Sequence, residues 1–132
     1  MTQQKSLDDL LVDEDDFNES MLTDVLAPFV GIGDNSGTLL PTDKFEELSA
    51  VAQTAVVLLA RKATYEIGLS EEEGATPLDI SQISGINHNT VKTAVRDLDE
   101  MNLVANDDGE YTVPTYDYDK AKDLIKSDHD DR

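Results

Sequence analysis

The sequence predicts a mainly α-helical fold with one small β-hairpin, an α+β class, preceded by an acidic, flexible N-terminal arm. Three observations lead to this prediction. From Thr42 onward, apolar residues recur at steps of three and four in several segments, which is typical of amphipathic helices. Asp108-Gly109 separates two short apolar runs, which indicates a hairpin. Residues 1–16 combine dense negative charge with few apolar side chains, so they are not expected to join a core.

The composition of the chain narrows the chemistry it can perform. Its 132 residues favour one folded domain with tails. Cysteine is absent, which excludes a disulfide framework, a thiolate metal site and a cysteine nucleophile. There is no run of about 18 apolar residues that could cross a bilayer, and the chain begins with polar residues instead of a hydrophobic leader. We therefore expect a soluble, cytoplasmic protein.

The net charge of -19, from 29 acidic and 10 basic residues, is unusual for a protein that binds nucleic acid. The charge is spread along the chain, at -8 in residues 1–42, -9 in residues 43–114 and -2 in residues 115–132. Aspartate outnumbers glutamate by 19 to 10 and tryptophan is absent, so the composition is similar to that of proteins from halophilic archaea. The alternative is functional acidity, either DNA mimicry or an acidic arm that binds a basic partner.

Residues 1–41 are predicted to form a largely disordered acidic arm outside the domain. A short helix is expected within it over residues 17–30, because the apolar residues there are spaced as on one helical face. Residues 31–37 are rich in glycine and other turn residues, which favours a flexible connector. These glycines lack the Gly-Lys-Ser/Thr ending of a phosphate-binding loop.

A helix of about 25 residues is predicted to open the domain at Thr42, its expected N-cap, and to end at Gly68. Val51, Val57 and Leu58 lie off its main apolar stripe. They indicate either a helix buried on more than one side or a seam between two subunits. The stripe itself comprises Phe45, Leu48, Ala52, Ala55, Val56, Leu59, Ala63 and Ile67.

Two further helices are predicted in close succession. Thr76 and Pro77 suit the N-cap and first position of a helix, and Gly85 is expected to end it. Asn87 is the expected N-cap of a third helix that runs from about His88 to Met101. Two helices joined this tightly predict a helix-turn-helix. The expected packing residues are Leu78, Ile80, Ile83 and Ile86 in the second helix, and Val91, Ala94, Val95, Leu98 and Met101 in the third.

A β-hairpin and a final helix complete the predicted organisation. Strands are expected at residues 103–105 and 111–113 with a turn between them, and a hairpin in this position is a wing. Residues 42–114 are thus predicted to form a winged helix-turn-helix domain. Residues 115–132 are expected to form a C-terminal helix and an acidic tail. Its apolar residues would pack back or pair with another subunit: Tyr118, Ala121, Leu124 and Ile125.

The order of features from Gly85 to Val104 resembles winged-helix regulators of the broad MarR, ArsR and TrmB-like group. The segment contains a Gly-Ile-Asn turn, a Thr-Val pair at 90–91 and a Leu-x-x-x-Asn-Leu-Val run before the hairpin. The resemblance covers residues 76–113 well and 45–67 loosely. It implies dimeric DNA recognition through the start of the third helix. The acidic composition indicates that such a regulator comes from a halophilic archaeon or its virus or plasmid. Asn102 replaces a glycine common in these regulators, and asparagine also tolerates a left-handed backbone.

The third helix carries the predicted DNA-binding residues: His88, Asn89, Thr90, Lys92, Thr93 and Arg96. An asparagine amide suits adenine, an arginine guanidinium suits guanine, and hydroxyls suit phosphates or base edges. The alternative is that Lys92 and Arg96 only solubilise the helix by pairing with nearby acidic residues, namely Asp97, Asp99 or Glu100.

The tip of the predicted wing is acidic, with Asp107, Asp108 and Glu110. Phosphates should repel such a tip. Either cations bridge it to DNA at high salt, or the wing stays out of the groove and serves packing.

No pattern in the sequence indicates catalysis, a cofactor or a metal. His88 and His129 are far apart, and no nucleophile-base pair or metal-ligand spacing is evident. The acidic tail at 128–131 could bind a divalent ion only weakly, and a solvated, disordered end is favoured. The Asp107-Asp108 pair is better explained by a turn than by acid-base chemistry.

The predicted function is sequence-specific binding of double-stranded DNA by a small, dimeric transcriptional regulator adapted to high salt. The first helix of the domain and the C-terminal helix would form the homodimer, and the third helix would read a near-palindromic site. The alternative is a winged-helix protein-interaction module, such as a viral or plasmid adaptor. Its acidic surface and N-terminal arm would bind a protein partner. No membrane partner is expected.

Overall fold

Residues 19–130 are described by the structure, a computed structural model, and form six α-helices and two β-hairpins around one core. This is the predicted mainly helical α+β class, with one hairpin more than the sequence indicated. No helix in this range is long and apolar enough to cross a membrane. In chain order the elements are α1 (Glu19–Leu26), β1 (Val30–Ile32), β2 (Leu39–Pro41), α2 (Asp43–Glu46), α3 (Ala50–Glu66), α4 (Pro77–Ser84), α5 (His88–Glu100), β3 (Ala105–Asp107), β4 (Glu110–Thr112) and α6 (Tyr118–Asp130).

The core is built around α3, which is buried on every side from Ala52 to Ala60. Helices α1, α4, α5 and α6 all pack against it. Val57 and Leu58 are each 1% exposed within a single chain. The predicted subunit seam is therefore wrong at these two residues, because the protein's own helices cover them. Only Val51 of the three off-stripe residues remains half-buried.

The predicted 25-residue helix is interrupted after one turn. Its first part is the short α2, and α3 begins only at Ala50. The interruption has a local cause, because Ser49 is an N-cap whose hydroxyl accepts a hydrogen bond from the Ala52 amide at 3.3 Å. Thr42 lies at the N-cap position of α2, but its hydroxyl donates to the Pro28 carbonyl at 2.8 Å. Thr42 thus joins α2 to the segment after α1 and does not cap a long helix.

Helix α3 ends just before the predicted glycine, but the last apolar side chain of the predicted stripe is not buried. Gly68 has a left-handed φ of 82° just after the helix, a conformation in which glycine has no Cβ to strain. Ile67, predicted on the buried stripe, is 54% exposed. As the C-cap residue, it lies beyond the last helical turn that contacts the core.

Two basic residues near the end of α3 hold the acidic loop that follows. Arg61 donates to the Gly74 carbonyl at 3.2 and 3.1 Å. Lys62 pairs with Glu66 at 2.9 Å and also with Glu73. Burial lowers the pKa of Lys62, but the hydrogen bonds to these two carboxylates outweigh burial and leave the pKa raised. These contacts fix the loop that leads into α4.

Residues 19–41 belong to the core and not to a separate arm. The predicted helix 17–30 is the shorter α1, and the predicted flexible connector is a β-hairpin in which Val30 pairs with Pro41 and Ile32 with Leu39. Because α3 is apolar all round, it needs this extra layer to cover it. The structure therefore has no domain boundary at residue 42, and residues 1–18 of the predicted arm lie outside the described part. The buried residues of this layer are Leu22, Val25, Leu26, Phe29, Val30 and Leu39.

The C-terminal helix packs back onto the domain, one of the two arrangements that the sequence allowed. A 3₁₀ turn, Thr115–Asp117, leads into α6, which continues to Asp130. Tyr118, Ala121 and Ile125 are buried in the core, and Leu124 is half-buried. The inward face of α6 is thus used within the chain and is not available to a second subunit.

The predicted disordered acidic tail is wrong as far as residue 130, because the end of α6 makes specific contacts. The Asp128 carboxylate accepts a hydrogen bond from the Ser49 amide at 2.9 Å. The His129 ring meets the Phe29 ring edge-on, with 5.5 Å between the centroids. A carboxylate at the N-terminus of α3 is also favoured by the helix dipole.

The Tyr118 hydroxyl is buried without a hydrogen-bond partner among the described residues. Burial raises the pKa of Tyr118, and the neighbouring Thr115 side chain and the Lys62 ammonium group offset part of this rise. The folded protein therefore keeps the phenolic proton above a pH of about 10, where an unfolded chain releases it. The stability contributed by this group is present below about pH 10 and is lost as the pH rises further.

The variant Tyr118→Phe is expected to leave the free energy of unfolding at pH 7 unchanged, or to raise it by up to about 1 kcal/mol, because it removes a buried donor with no partner. It should also make the loss of stability above about pH 10 shallower. Denaturant unfolding at both pH values measures these effects, with Tyr116→Phe as the control because Tyr116 is exposed. A loss of more than about 1 kcal/mol at pH 7 would contradict an unpartnered hydroxyl.

Candidate nucleic-acid interface

Helix α4 begins as the sequence predicts. The Thr76 hydroxyl accepts a hydrogen bond from the Asp79 amide and the Asp79 carboxylate accepts one from the Thr76 amide, each at 3.1 Å, which is a capping box. Pro77 occupies the first turn. Ile80 provides the buried contact, whereas Leu78 is 52% exposed. The prediction that Leu78 packs is wrong because it is two positions from Ile80 and lies on the other side of the helix.

Three residues, 85–87, join α4 to α5. Gly85 ends α4 with a left-handed φ of 81°, as predicted. Two serines of α4 hold the turn: the Ser81 hydroxyl donates to the Ile86 carbonyl at 2.5 Å, and the Ser84 hydroxyl accepts from the Ile86 amide at 3.1 Å. These bonds fix the direction in which α5 leaves α4, and so they orient the exposed face of α5.

Asn87 caps α5 as predicted, since its side-chain oxygen accepts a hydrogen bond from the Asn89 amide at 2.9 Å. Met101, predicted on the inner stripe, is exposed. Helix α5 ends at Glu100, and the left-handed φ of 60° at Asn102 turns the chain toward the hairpin. The rest of the predicted inner stripe is buried as expected: Val91, Ala94, Val95 and Leu98.

The predicted DNA-binding residues all lie on α5, where they form two adjacent rows. His88, Lys92 and Arg96 follow one another at intervals of four and form the basic row. Asn89 and Thr93 form the polar row, in which the Thr93 hydroxyl donates to the Asn89 carbonyl at 3.3 Å. His88 is half-buried; the exposed members of the predicted set are Asn89, Thr90, Lys92, Thr93 and Arg96.

The polar row borders an open groove of about 440 Å³ between α5 and the first turn of α3. Thr90 and Asp97 also line the groove from α5, and Ala50 and Val51 line it from α3. The basic row does not line the groove. The structure thus brings part of the predicted site together with α3 and leaves its cations on a separate ridge.

Sequence reasoning does not identify Ala50 and Val51 as neighbours of the candidate site. It places them in the middle of a long helix, so nothing marks them as a first turn. Ser49 is the signal that could have done so, because serine is a preferred N-cap and lies directly before them.

The two cations of the basic row, Lys92 and Arg96, have no acidic partner in the part of the chain that the structure describes. Within residues 19–130, neither Lys92 nor Arg96 forms an ion pair, so the structure does not contain the alternative pairing with Asp97, Asp99 or Glu100. By contrast, Arg61 and Lys62 are both engaged with carboxylates. Two unpaired, exposed cations on one helix face are available to an anionic partner.

The hairpin after α5 starts two residues later than predicted. Leu103 and Val104, expected in the first strand, are a buried connection, and β3 pairs with β4 in the register Ala105↔Thr112. Asp108 and Gly109 form the turn with φ values of 53° and 92°. The turn accounts for the Asp107-Asp108 pair, and it leaves the three acidic tip residues exposed: Asp107, Asp108 and Glu110.

The hairpin is fixed to the loop before α4 by a short antiparallel bridge. Ala75 and Tyr111 exchange backbone hydrogen bonds of 3.1 and 2.8 Å. At Gly74, an added Cβ would lie 2.9 Å from the Tyr111 carbonyl oxygen, so only glycine lets the two backbones approach this closely. The bridge gives the hairpin a third extended segment and sets its position relative to α4 and α5.

Among residues 19–130, no group of three or more histidine, aspartate or glutamate side chains could hold a metal ion. The comparisons with protein families, with curated proteins and with solved structures found no match to this chain.

Proposed function

We propose that this protein is a winged helix-turn-helix transcriptional regulator of the cytoplasm that binds double-stranded DNA sequence-specifically through α5. The observation that carries the proposal is the exposed face of α5. On it, Lys92 and Arg96 lie beside Asn89 and Thr93 and form no ion pair with any residue from 19 to 130. The proposed role is binding, without catalysis or a cofactor.

The arrangement around α5 supports a winged helix-turn-helix. Helix α4 and helix α5 are joined by three residues and both pack on α3. The segment at Ala75 and the two strands after α5 form three extended segments next to these helices, in the position of the predicted wing. In such a domain the helix after the tight turn enters the major groove.

The side chains of α5 have the chemistry that reads base edges. An arginine can bind the O6 and N7 atoms of guanine together, and an asparagine can bind N6 and N7 of adenine. Arg96 and Asn89 are both exposed on α5 and can fill these roles. Lys92 carries a point charge suited to phosphate, which fixes position without selecting sequence.

The remaining surface opposes DNA at low salt, so we propose that the protein acts in high salt. The net charge of -19 repels DNA phosphates over long distances. This repulsion reaches about 10 Å near 0.1 M salt but only about 3 Å near 1 M, because the Debye length shortens as the salt concentration rises. The exposed acidic tip of the hairpin should stay clear of the backbone or reach it through bound cations.

A homodimer on a near-palindromic site remains part of the proposal. Its interface cannot include Val57 and Leu58 of α3 or the buried residues of α6, because they are covered within one chain. Analytical ultracentrifugation with and without a selected duplex tests the dimer directly.

Selection from random duplexes at about 0.1 M and about 1 M KCl, which differ threefold in screening length, tests the proposed function. We expect the selection to enrich one sequence motif. The affinity of the protein for this motif should fall less with rising salt concentration than the affinity of a basic DNA-binding protein for its site. A selection that enriches no sequence at either salt concentration would contradict sequence-specific binding.

A second candidate is a winged-helix interaction module, such as a viral or plasmid adaptor. It is favoured by the exposed acidic tip at Asp107, Asp108 and Glu110, which suits a basic protein surface. The matched variants Asp107→Asn and Asp108→Asn should abolish binding of a basic protein partner while Arg96→Ala leaves it intact. If Arg96→Ala abolishes binding and the two aspartate variants leave it intact, the result favours DNA binding through α5.

Removal of the acidic group next to the polar row is expected to strengthen DNA binding. Asp97 lines the groove with Thr93, so Asp97→Asn should raise affinity for a selected duplex about two- to tenfold near 0.1 M salt and less near 1 M. Fluorescence anisotropy measures the change. Asp99→Asn is the matched control, because Asp99 is exposed on α5 but does not line the groove. Equal effects of the two variants would mean that only net charge matters.

A further inference from the structure

A second groove lies between α1, α2 and the end of α6, away from the residues assigned to DNA. Its volume is about 280 Å³. Val25 and Phe29 line it from α1 and the segment that follows, and Ile125 lines it from α6. These three side chains are otherwise buried in the core, so the floor of the groove is apolar.

Two lysines from different helices line this groove. Lys44 belongs to α2 and Lys126 to α6; both are exposed, and neither forms an ion pair with any described residue. Asp24 is the acidic residue that lines the groove with them, and His129, whose ring packs against Phe29, lines it as well. Two lysines and one aspartate leave a local net charge of +1, in a chain whose overall charge is -19.

We propose that this groove binds a small amphipathic anion, a molecule with one carboxylate and a compact apolar body. The apolar floor would take the body of the ligand out of water, and the two lysine ammonium groups would hold its charge. The volume is at the small end of ligand cavities, which span about 300–1,000 Å³, so a ligand with a short chain or a single ring fits.

The position of the groove explains how binding would stabilise the fold. Lys126 lies two residues before Asp128, whose carboxylate accepts the hydrogen bond from the Ser49 amide. A ligand that bridges Lys44 and Lys126 therefore holds the end of α6 against the segment that leads into α3. Binding to the folded state alone raises its stability in proportion to the logarithm of ligand concentration.

Three probes separate the two parts of the proposed chemistry. Hexanoate has both the charge and the apolar body, 1-hexanol has only the apolar body, and acetate has only the charge. Titration of the full ¹⁵N-labelled chain, followed by amide chemical shifts and by thermal unfolding, is expected to give an affinity for hexanoate at least about tenfold higher than for either other probe. The shifted amides should belong to the groove, including those of Lys44 and Lys126.

Charge-removing variants test the two lysines. Lys44→Gln and Lys126→Gln should each weaken hexanoate binding about fivefold or more, as expected for an anion that loses one of two partners. Lys122→Gln is the control, because it removes the same charge from α6 at a position that does not line the groove and forms no ion pair with a described residue. Binding that is equal for hexanoate and 1-hexanol, equal for hexanoate and acetate, or insensitive to both groove variants would overturn the proposal. None of these readouts depends on DNA binding, so the two proposals can fail separately.

Discussion

Arg96→Ala is expected to lower the affinity for a selected duplex by about 1–3 kcal/mol, roughly 5- to 150-fold, and to relax the sequence preference at one base pair. Arg96 is exposed on α5 and has no carboxylate partner within the described chain, so its guanidinium is available for a bidentate contact with guanine. Lys92→Ala should act differently. It should weaken binding by a similar factor on all sequences and reduce the salt slope by about 1.

Fluorescence anisotropy with the selected duplex and with a scrambled duplex measures both effects. Lys122→Ala is the control, since it removes a positive charge from α6 and not from α5, and Lys122 forms no ion pair with a described residue. The thermal unfolding of Arg96→Ala and Lys92→Ala should match that of the unsubstituted protein, because exposed residues without partners contribute little to stability. Unchanged DNA affinity in both α5 variants would exclude the basic row from the interface.

Leu22→Ala is expected to lower the free energy of unfolding by about 2–5 kcal/mol, the largest stability effect that we predict. Leu22 is 1% exposed, and the helix that carries it covers α3. Truncation to alanine removes a buried side chain and leaves a cavity that neighbouring side chains fill only in part. A loss of this size would be a large share of the stability of a small domain.

Denaturant unfolding monitored by circular dichroism measures the loss. Ser20→Ala is the matched control on α1, because Ser20 is exposed and its substitution should change stability by less than about 0.5 kcal/mol. If Leu22→Ala behaves like Ser20→Ala, then residues 19–41 form the dispensable arm that the sequence predicted and do not belong to the core.

The segment from Thr76 to Asn102 follows the sequence prediction closely because its signals are local. The capping box at Thr76, the left-handed Gly85 and the N-cap at Asn87 all depend on residues within three or four positions. The buried stripe of α5 has a single apolar face, so its helical period is visible in the sequence. Only Leu78 and Met101, near the two ends of the segment, are exposed where the sequence predicted that they pack.

The layer formed by residues 19–41 could not be predicted because its stability is not local. Strands β1 and β2 have three residues each, and they pair across glycines that also suit a flexible linker. Gly37, at φ 73°, packs against Leu69, a contact that no short sequence window reveals. The spacing of the apolar residues in α1 predicted a helix, but it did not show that this helix packs against α3.

The interruption before α3 was hidden for a different reason. Phe45 and Leu48 are buried and continue the helical spacing of the apolar residues in α3, although the chain changes direction between them and Ala50. Spacing alone cannot distinguish one long helix from a turn and a second helix that share a core. The groove beside the polar row is formed partly by the first turn of α3. Because the sequence did not show that α3 begins at Ala50, this side of the groove could not be predicted either.

The hydrogen bond between the Ser49 amide and the Asp128 carboxylate joins positions 79 residues apart. It makes a closed loop of chain that contains α3, α4, α5, the second hairpin and most of α6. Closing a loop of this length costs conformational entropy once, after which its internal contacts form at higher effective concentration. The last turn of α6 therefore acts as a latch on the first turn of α3, and a truncation that removes Asp128 is expected to loosen the start of α3.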